Sequence, residues 1–466
     1  METAVLFLLV FGLLLFGAPI AIALGLSSVL YIALFSHDTM SSVAVQLFNA
    51  SQNFTLLAIP FFILASSFMS TGGVARRIVN FAIATVGSFR GGLAIAGVFA
   101  CMIFAALSGS SPATVVAIGT IAIAAMRQAG YSKEFAAGVI ANAGTLGILI
   151  PPSIVMVVYS AATNVSVGRM FLAGIIPGIV AGLMLMITIY IIARKKNLPA
   201  QPFPSWTVLW KSFSEAAFGM FLMVIILGGI YAGIFTPTEA AAVAAVYAGF
   251  IALFVYRDMG PLAGRRWRNE GESLGGAAAR NITLIALWFF PALFHRDTRK
   301  VLVDSAKTTV MLMFIIVNAL LFAHTLTAER IPQLITDWMV DAGFNWFTFL
   351  LAVNILLLIG GQFMEPSGLL LIVAPVVFPI GMELGVDPIH LGIMMVVNME
   401  IGMITPPIGL NLFVTSGITG MSLLQVVKAA APFVLVLLVF LILVTYVPWL
   451  STALPTALMG PEIITR

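Results

Sequence analysis

Apolar residues in this chain do not alternate with polar ones; they gather into long blocks that clusters of Gly, Pro and Ser interrupt. Blocks 171–192 and 432–450 approach the roughly 20 apolar residues with which a helix crosses a bilayer. Those at 218–234, 240–256 and 308–326 predict further spans. Block 5–35 is long enough for one tilted helix or two shorter ones, with Gly17 and Pro19 placed to divide it. Residues 55–69 form another, closed by Gly72 and Gly73. The pattern predicts an all-α polytopic membrane protein.

The remaining blocks are broken. Residues 92–107 lead into Ser108-Gly109-Ser110-Ser111-Pro112 before an apolar run resumes at 113–126, and block 135–150 meets Pro151-Pro152. In the second half, 346–380 is interrupted between Gly360 and Gly368, and 391–414 by Pro406-Pro407. Consecutive prolines remove two backbone donors and clash with the preceding turn, so a helix breaks there. Pro112 precedes Pro151 by 39 residues and Pro366 precedes Pro406 by 40. Asn142 lies nine residues before its double proline, Asn398 eight before its own. This matched layout predicts inverted structural repeats, each with a re-entrant helical hairpin and a Pro-Pro-broken helix, around a site near the bilayer midplane. Unwound backbone is tolerated at that depth only where it lines a cavity or is buried in protein.

Composition agrees: 61% of the 466 residues are hydrophobic and 9% charged, against about 25% charged in a soluble domain. The net charge of +4 does not point to nucleic acid, because the basic residues cluster between spans. Arg194, Lys195, Lys196 and Lys211 fall in one loop; Arg257, Arg265, Arg266, Arg268, Arg280, Arg296, Arg299 and Lys300 fall in the next. Two spans separate these loops, so both are expected on the cytoplasmic side, with 236–239 facing the other. Residues 1–35 lack a positively charged leader and read as a retained first span. Cys101, in an apolar run, reads as a packing residue. His37, His295, His324 and His390 have no metal-ligand spacing, so neither a cofactor nor a transition metal is expected. An intramembrane enzyme would need a catalytic pair such as Ser with Lys or His, and the histidines are not placed for one.

The breaks carry the candidate chemistry. Exposed carbonyls with Ser, Thr and Asn oxygens make a hard, neutral cage for a desolvated monovalent cation, and a restarting helix turns its positive end toward an anion. The candidates are Ser108, Ser110, Ser111, Asn142 and Thr145 in the first half and Ser367, Asn398 and Thr405 in the second. Any single Ser or Thr can equally satisfy a local carbonyl, and the glycines at 144–147 can equally serve helix packing. Glu239, Glu365 and Glu400 lie beside or within apolar runs, where a charge costs roughly 2.5–3.5 kcal/mol and is usually functional or paired. Glu365 reads either as a helix N-terminal cap or as an ion-coupling group, and Glu239, after Thr236-Pro237-Thr238, as a first-turn cap.

The strings Leu107-Ser108-Gly109-Ser110-Ser111-Pro112-Ala113-Thr114, Gly147-Ile148-Leu149-Ile150-Pro151-Pro152-Ser153, Thr236-Pro237-Thr238-Glu239 and Glu365-Pro366-Ser367-Gly368, with the segment 398–411, are similar to motifs of one family. Over about residues 1–450 the chain resembles the large membrane subunit of TRAP transporters, the tripartite ATP-independent periplasmic systems. The resemblance implies an elevator-type mechanism in a bacterial inner membrane, a transport domain sliding against a scaffold domain. It implies secondary active, sodium-coupled import of an organic acid such as a C4-dicarboxylate. Sialic acid and keto acids suit neutral Ser, Thr and Asn sites equally well. The implied partners are a periplasmic substrate-binding protein and a small four-helix membrane subunit on a separate polypeptide. It maps substrate binding onto Ser108, Ser110, Ser111, Pro112, Ser367 and Gly368. Sodium maps onto Ser108, Ser111, Asn142, Gly144, Thr145, Pro151, Gly361, Glu365, Asn398, Gly402 and Thr405. A binding-protein-independent sodium/dicarboxylate symporter is the alternative, since it shares repeated hairpins.

The expected organisation places N-terminal scaffold spans and the start of the first repeat in 1–91, and the first hairpin and broken helix in 92–170. Scaffold spans follow in 171–256 and 301–345, the second hairpin and broken helix in 346–425, and a C-terminal span in 426–466. Residues 257–300 depart from the family's pattern, with about forty residues more than its usual short basic loop. The apolar run 282–294 is 13 residues long and contains Pro291, so a basic cytoplasmic insertion with an interfacial helix is expected.

Overall fold

The computed structural model describes residues 2–36, 39–52, 54–269 and 271–460; His37 lies outside them. Among the described residues all regular structure is helical. α1 (Glu2–Leu15) and α2 (Ile20–Phe35) part where Gly17 takes a left-handed φ of 82° and Pro19 occupies the residue before the second helix. α3 (Met40–Ser51), α4 (Ala58–Thr71) and α5 (Val74–Val86) follow. α6 (Gly92–Ser108) and α7 (Ser111–Gln128) form a hairpin that turns on Gly109. α8 (Lys133–Ala143) tightens into the 3₁₀ turn Gly144–Ile148 and reaches Pro151-Pro152 before α9 (Ile154–Thr163) begins.

α10 (Val167–Lys195) precedes α11 (Trp206–Met223), which continues through a π turn into α12 (Gly229–Tyr231). α13 (Pro237–Phe250) starts on a capping box in which Thr236 N–H donates to Glu239 Oε2 and Glu239 N–H to Thr236 Oγ1, the first-turn role expected of Glu239. It runs on as the π turn Ile251–Tyr256. α14 (Leu274–Leu293), α15 (Arg296–Ala328) and α16 (Ile331–Asp341) lead into α17 (Trp346–Gly361), α18 (Pro366–Glu383), α19 (Pro388–Gly402) and α20 (Leu410–Thr419). α21 (Leu423–Tyr446) and α22 (Trp449–Met459) complete the described chain.

Eight helical segments among the described residues are long and apolar enough to cross a membrane. Large apolar side chains such as Phe16, Phe221 and Leu435 face outward, as they do where lipid replaces water. α8 from Phe135 onward and all of α19 are buried, so the two helices that end in breaks form the centre. α8 packs on α7 and α21; α19 packs on α17, α18 and α21. Both Pro-Pro peptides are cis. Pro151 and Pro152 are buried, whereas Pro406 and Pro407 are exposed.

Three expectations are corrected. Residues 282–293 belong to a 20-residue helix long and apolar enough to span, where a 13-residue run too short to do so was expected. Ser273 caps its start, Gly and Ala fill its first turns, and Pro291 falls too near its C-terminus to interrupt it. The span foreseen at 308–326 extends to 33 residues. The last long apolar helix begins at Leu423, with Pro432 inside it.

Candidate functional site

The α6–α7 tip is shaped by three hydroxyls and a glycine. Gly109 adopts φ 58°, and a Cβ there would lie 2.9 Å from Pro152 O, so the tip presses on the first Pro-Pro backbone. Ser108 Oγ and Thr114 Oγ1 share a hydrogen bond of 2.8 Å, and Thr114 Oγ1 donates to Ser110 O. Ser110 is the N-cap residue of α7 but its side chain caps nothing, and Pro112 in the first turn has no N–H. Ser111 Oγ donates to Gly144 O at 3.0 Å, tying the tip to the first break.

The α17–α18 tip uses an acid. Glu365 Oε2 accepts from Gly368 N at 3.1 Å and Oε1 from Ser367 Oγ at 3.0 Å. The carboxylate therefore caps α18, the first of the two roles its position allowed. Gly361 and Gly402 meet backbone to backbone: a Cβ on Gly402 would fall 2.8 Å from Gly361 Cα.

Both tips open on one cavity of about 170 Å³, lined by Ser110, Ser111, Pro112, Glu365, Pro366 and Ser367. The first turns of α7 and α18 thus point into a common space. Thr308, Met311 and Leu312 of α15 form another wall, which sequence reasoning did not anticipate. Of the residues mapped to substrate, Ser110, Ser111, Pro112 and Ser367 line this cavity; Ser108 and Gly368 do not, and Gly368 packs toward Ile20.

The other mapped residues lie around the breaks, outside the cavity lining. Asn142 Nδ2 donates to Gly138 O at 2.8 Å and to Ala430 O on α21 at 3.3 Å. Asn398 Nδ2 donates to the backbone and side-chain oxygens of Asn354, whose own amide reaches Thr445. Thr405 Oγ1, just past the end of α19, donates back to Ile401 O in its last turn. Gly144 abuts Val115, leaving no room for a side chain, and Pro151 is buried.

Beside the Asn142 bond to Ala430, two further side-chain contacts join the halves at the breaks. Thr145 Oγ1 lies 2.7 Å from Asn142 O and 2.5 Å from Glu400 Oε1. Asn411 Nδ2 donates to Ser111 Oγ at 2.7 Å and to Ala141 O. Asn354 and Asn411 were missed as individual contributors; the only signal was an isolated polar residue in an apolar run. Four buried acceptors, Asn142 Oδ1, Asn398 Oδ1, Asn411 Oδ1 and Glu400 Oε2, have no hydrogen-bond donor among the described residues. An unserved buried polar atom costs about 1–3 kcal/mol, and hard oxygens of this kind are what an alkali cation can serve.

A family model described as the tripartite ATP-independent periplasmic transporter, DctM component, matches residues 7–263 and 270–450. All but 264–269 of the supposed insertion therefore lies within matched residues. Over 467 residues, the whole of both chains, the sequence is 66% identical to the C4-dicarboxylate TRAP transporter large permease protein DctM of Vibrio cholerae. It is 59% identical to the protein of that description from Pseudomonas aeruginosa, covering 93% of each chain. It is 36% identical to the 2,3-diketo-L-gulonate TRAP transporter large permease protein YiaN of Escherichia coli, over 93% of this chain and 94% of that one. The crystal structure of the Alcanivorax borkumensis YdaH transporter superposes on 91% of both chains with a TM-score of 0.59 at 15% identity, a likeness of fold alone.

Proposed function

The chain belongs to the DctM component family of tripartite ATP-independent periplasmic transporters, and we propose that it imports a C4-dicarboxylate, the substrate class in its DctM relatives' names, by sodium-coupled secondary transport across a bacterial inner membrane. The observation that carries this reading is the single cavity lined by the first turns of both α7 and α18. A four-carbon dianion has a carboxylate at each end, and two helix N-termini offer each a partial positive charge. Ser110, Ser111 and Ser367 supply hydroxyls beside them. Glu365 already occupies part of the α18 terminus, so the uncapped α7 terminus is the stronger anion site.

Sodium is the coupling ion in this reading. The donorless oxygens of Asn142 and Asn398 lie at the two breaks. Ser108, Ser111, Thr145 and Thr405, with backbone near Gly144, Pro151, Gly361 and Gly402, complete the oxygen-rich surroundings. The two halves form inverted repeats with re-entrant hairpins. Residues 92–170 and 346–425 travel as an elevator against a scaffold of 1–91, 171–256 and 301–345. A periplasmic binding protein delivers the substrate, and a small four-helix membrane subunit completes the machine.

Proteoliposome uptake of labelled succinate tests the proposal, with binding protein, small subunit and sodium gradient each omitted in turn. Each omission is expected to abolish accumulation. Undiminished uptake without both partners would favour an independent symporter.

A further inference from the structure

An open cavity of about 1480 Å³ lies away from the tips, between α5, α11, the end of the α13 π turn and the loop that follows it. Arg76, Arg77, Lys211, Arg265, Arg266 and Arg268 line it, with Glu215 as the acid among the lining residues. Arg76 and Arg77 both pair with Asp258, at 3.1 and 2.5 Å, and the Arg77 guanidinium stacks 3.9 Å from the Tyr256 ring centre. Asp258 and Glu215 offset part of this charge, and Glu272 acts on Arg268. Lys211 and Arg265 form no ion pair among the described residues.

The loop bearing these arginines is held in place from beneath. Arg257 is buried; its Nε donates to Phe254 O and its Nη2 to Asn281 Oδ1 on α14. Asn281 Nδ2 in turn donates to Trp267 O at 2.7 Å, while Arg268 Nε donates to Glu272 O. The basic rim is thus fixed before anything binds. Beside it, α11 exposes Trp206, Trp210, Phe218 and Phe221, and the loop exposes Trp267. Indole rings next to a cationic pocket are the signature of the boundary between headgroups and acyl chains.

We propose that this cavity binds the phosphate of an anionic phospholipid headgroup, with the acyl chains lying along the exposed aromatic face of α11. The ligand chemistry is a phosphate anion, and the aromatic strip assigns it to a lipid over a soluble ion. A phosphodiester accepts from several guanidinium N–H groups at once. The site needs neither the tips nor the breaks.

The test uses the full chain in phosphatidylcholine nanodiscs with rising fractions of phosphatidylglycerol, reading the thermal unfolding midpoint. Wild type is expected to be stabilised as phosphatidylglycerol increases. Lys211→Gln and Arg265→Gln should each raise the fraction needed for half the effect about fivefold, and Glu215→Gln should lower it. Inorganic phosphate in phosphatidylcholine discs should give no comparable shift. The proposal is overturned if both cationic variants respond as wild type does, if phosphate alone reproduces the shift, or if adding the small membrane subunit abolishes it. Should the cationic variants fail to fold, an unchanged or weakened response in Glu215→Gln overturns it as well.

Discussion

Thr145 Oγ1, in the first break, lies 2.5 Å from Glu400 Oε1 on α19, joining residues 255 positions apart at the buried centre of the molecule. The contact spans the two halves of the chain, and among the described residues Glu400 Oε2 has no hydrogen-bond partner. Thr145→Val removes that donor and should destabilise the protein by about 1–3 kcal/mol. Glu400→Gln brings a donor of its own, so the double variant should lose less than the sum of the single losses. Denaturant titration in detergent measures the coupling, and strict additivity would mean the two side chains do not interact.

The meeting of Gly361 and Gly402 predicts a graded steric effect. Gly402→Ala places a Cβ 2.8 Å from Gly361 Cα, and Gly361→Ala places one 3.2 Å from Gly402 Cα. Backbone cannot yield as a flexible side chain can, so each should cost about 1–3 kcal/mol, with Gly402→Ala the more severe. Thermal unfolding of the purified variants checks the order; a reversal would contradict the packing.

Ser108→Ala, Asn142→Ala and Asn398→Ala should weaken sodium dependence while leaving membrane insertion intact. Loss of one oxygen ligand is expected to raise the sodium concentration for half-maximal uptake about tenfold, equivalent to roughly 1.4 kcal/mol. Sodium titration of uptake at fixed substrate decides; three unchanged values would put the ion elsewhere.

Glu365 places a negative charge on the wall of the space assigned to a dianion. Glu365→Gln removes that charge while its amide oxygen can still accept from Gly368 N. KM for succinate should fall by about fivefold, roughly 1 kcal/mol of relieved repulsion. A higher KM would assign the carboxylate a supporting role in substrate or ion binding.

Acid should loosen the loop before α14. Arg280 grips Glu272 through Nε at 2.8 Å and Nη2 at 2.9 Å, and Asn269 N–H adds a third bond. Led by the Arg280 bond, these hold the Glu272 carboxyl at about 2, below its ordinary 4.5. Because the folded value is depressed, the clasp is complete above pH 4.5 and is lost as pH falls toward 2. Pepsin cleavage within 257–273 should rise across that window, and Arg280→Gln should make it cleavable above it. Equal cleavage at both ends of the window would refute the clasp.

The places where helices stop were legible because the signals are local. Gly109 turns a tip, and Pro151-Pro152 and Pro406-Pro407 end helices wherever they occur. What those residues face was not legible. Asn142 reaches Ala430 and Asn398 reaches Asn354 through helix packing that no periodic pattern encodes. α5 was overlooked because Arg76, Arg77 and Asn80 make it too polar to read as a span, and α14 was shortened because its Gly and Ala start carries little apolar signal. Glu365 was readable in chemistry but ambiguous in role until Gly368 and Ser367 were seen to donate to it.

The two double prolines differ in how far a solute can reach them. Pro151 and Pro152 are sealed among neighbours, so the backbone of their break is out of reach of a dissolved probe in this structure. Pro406 and Pro407 already stand at the surface. A cysteine-reactive probe should label a cysteine placed at Ile408 at once and one placed at Ser153 only when the molecule moves, turning the two breaks into a clock for the transport cycle.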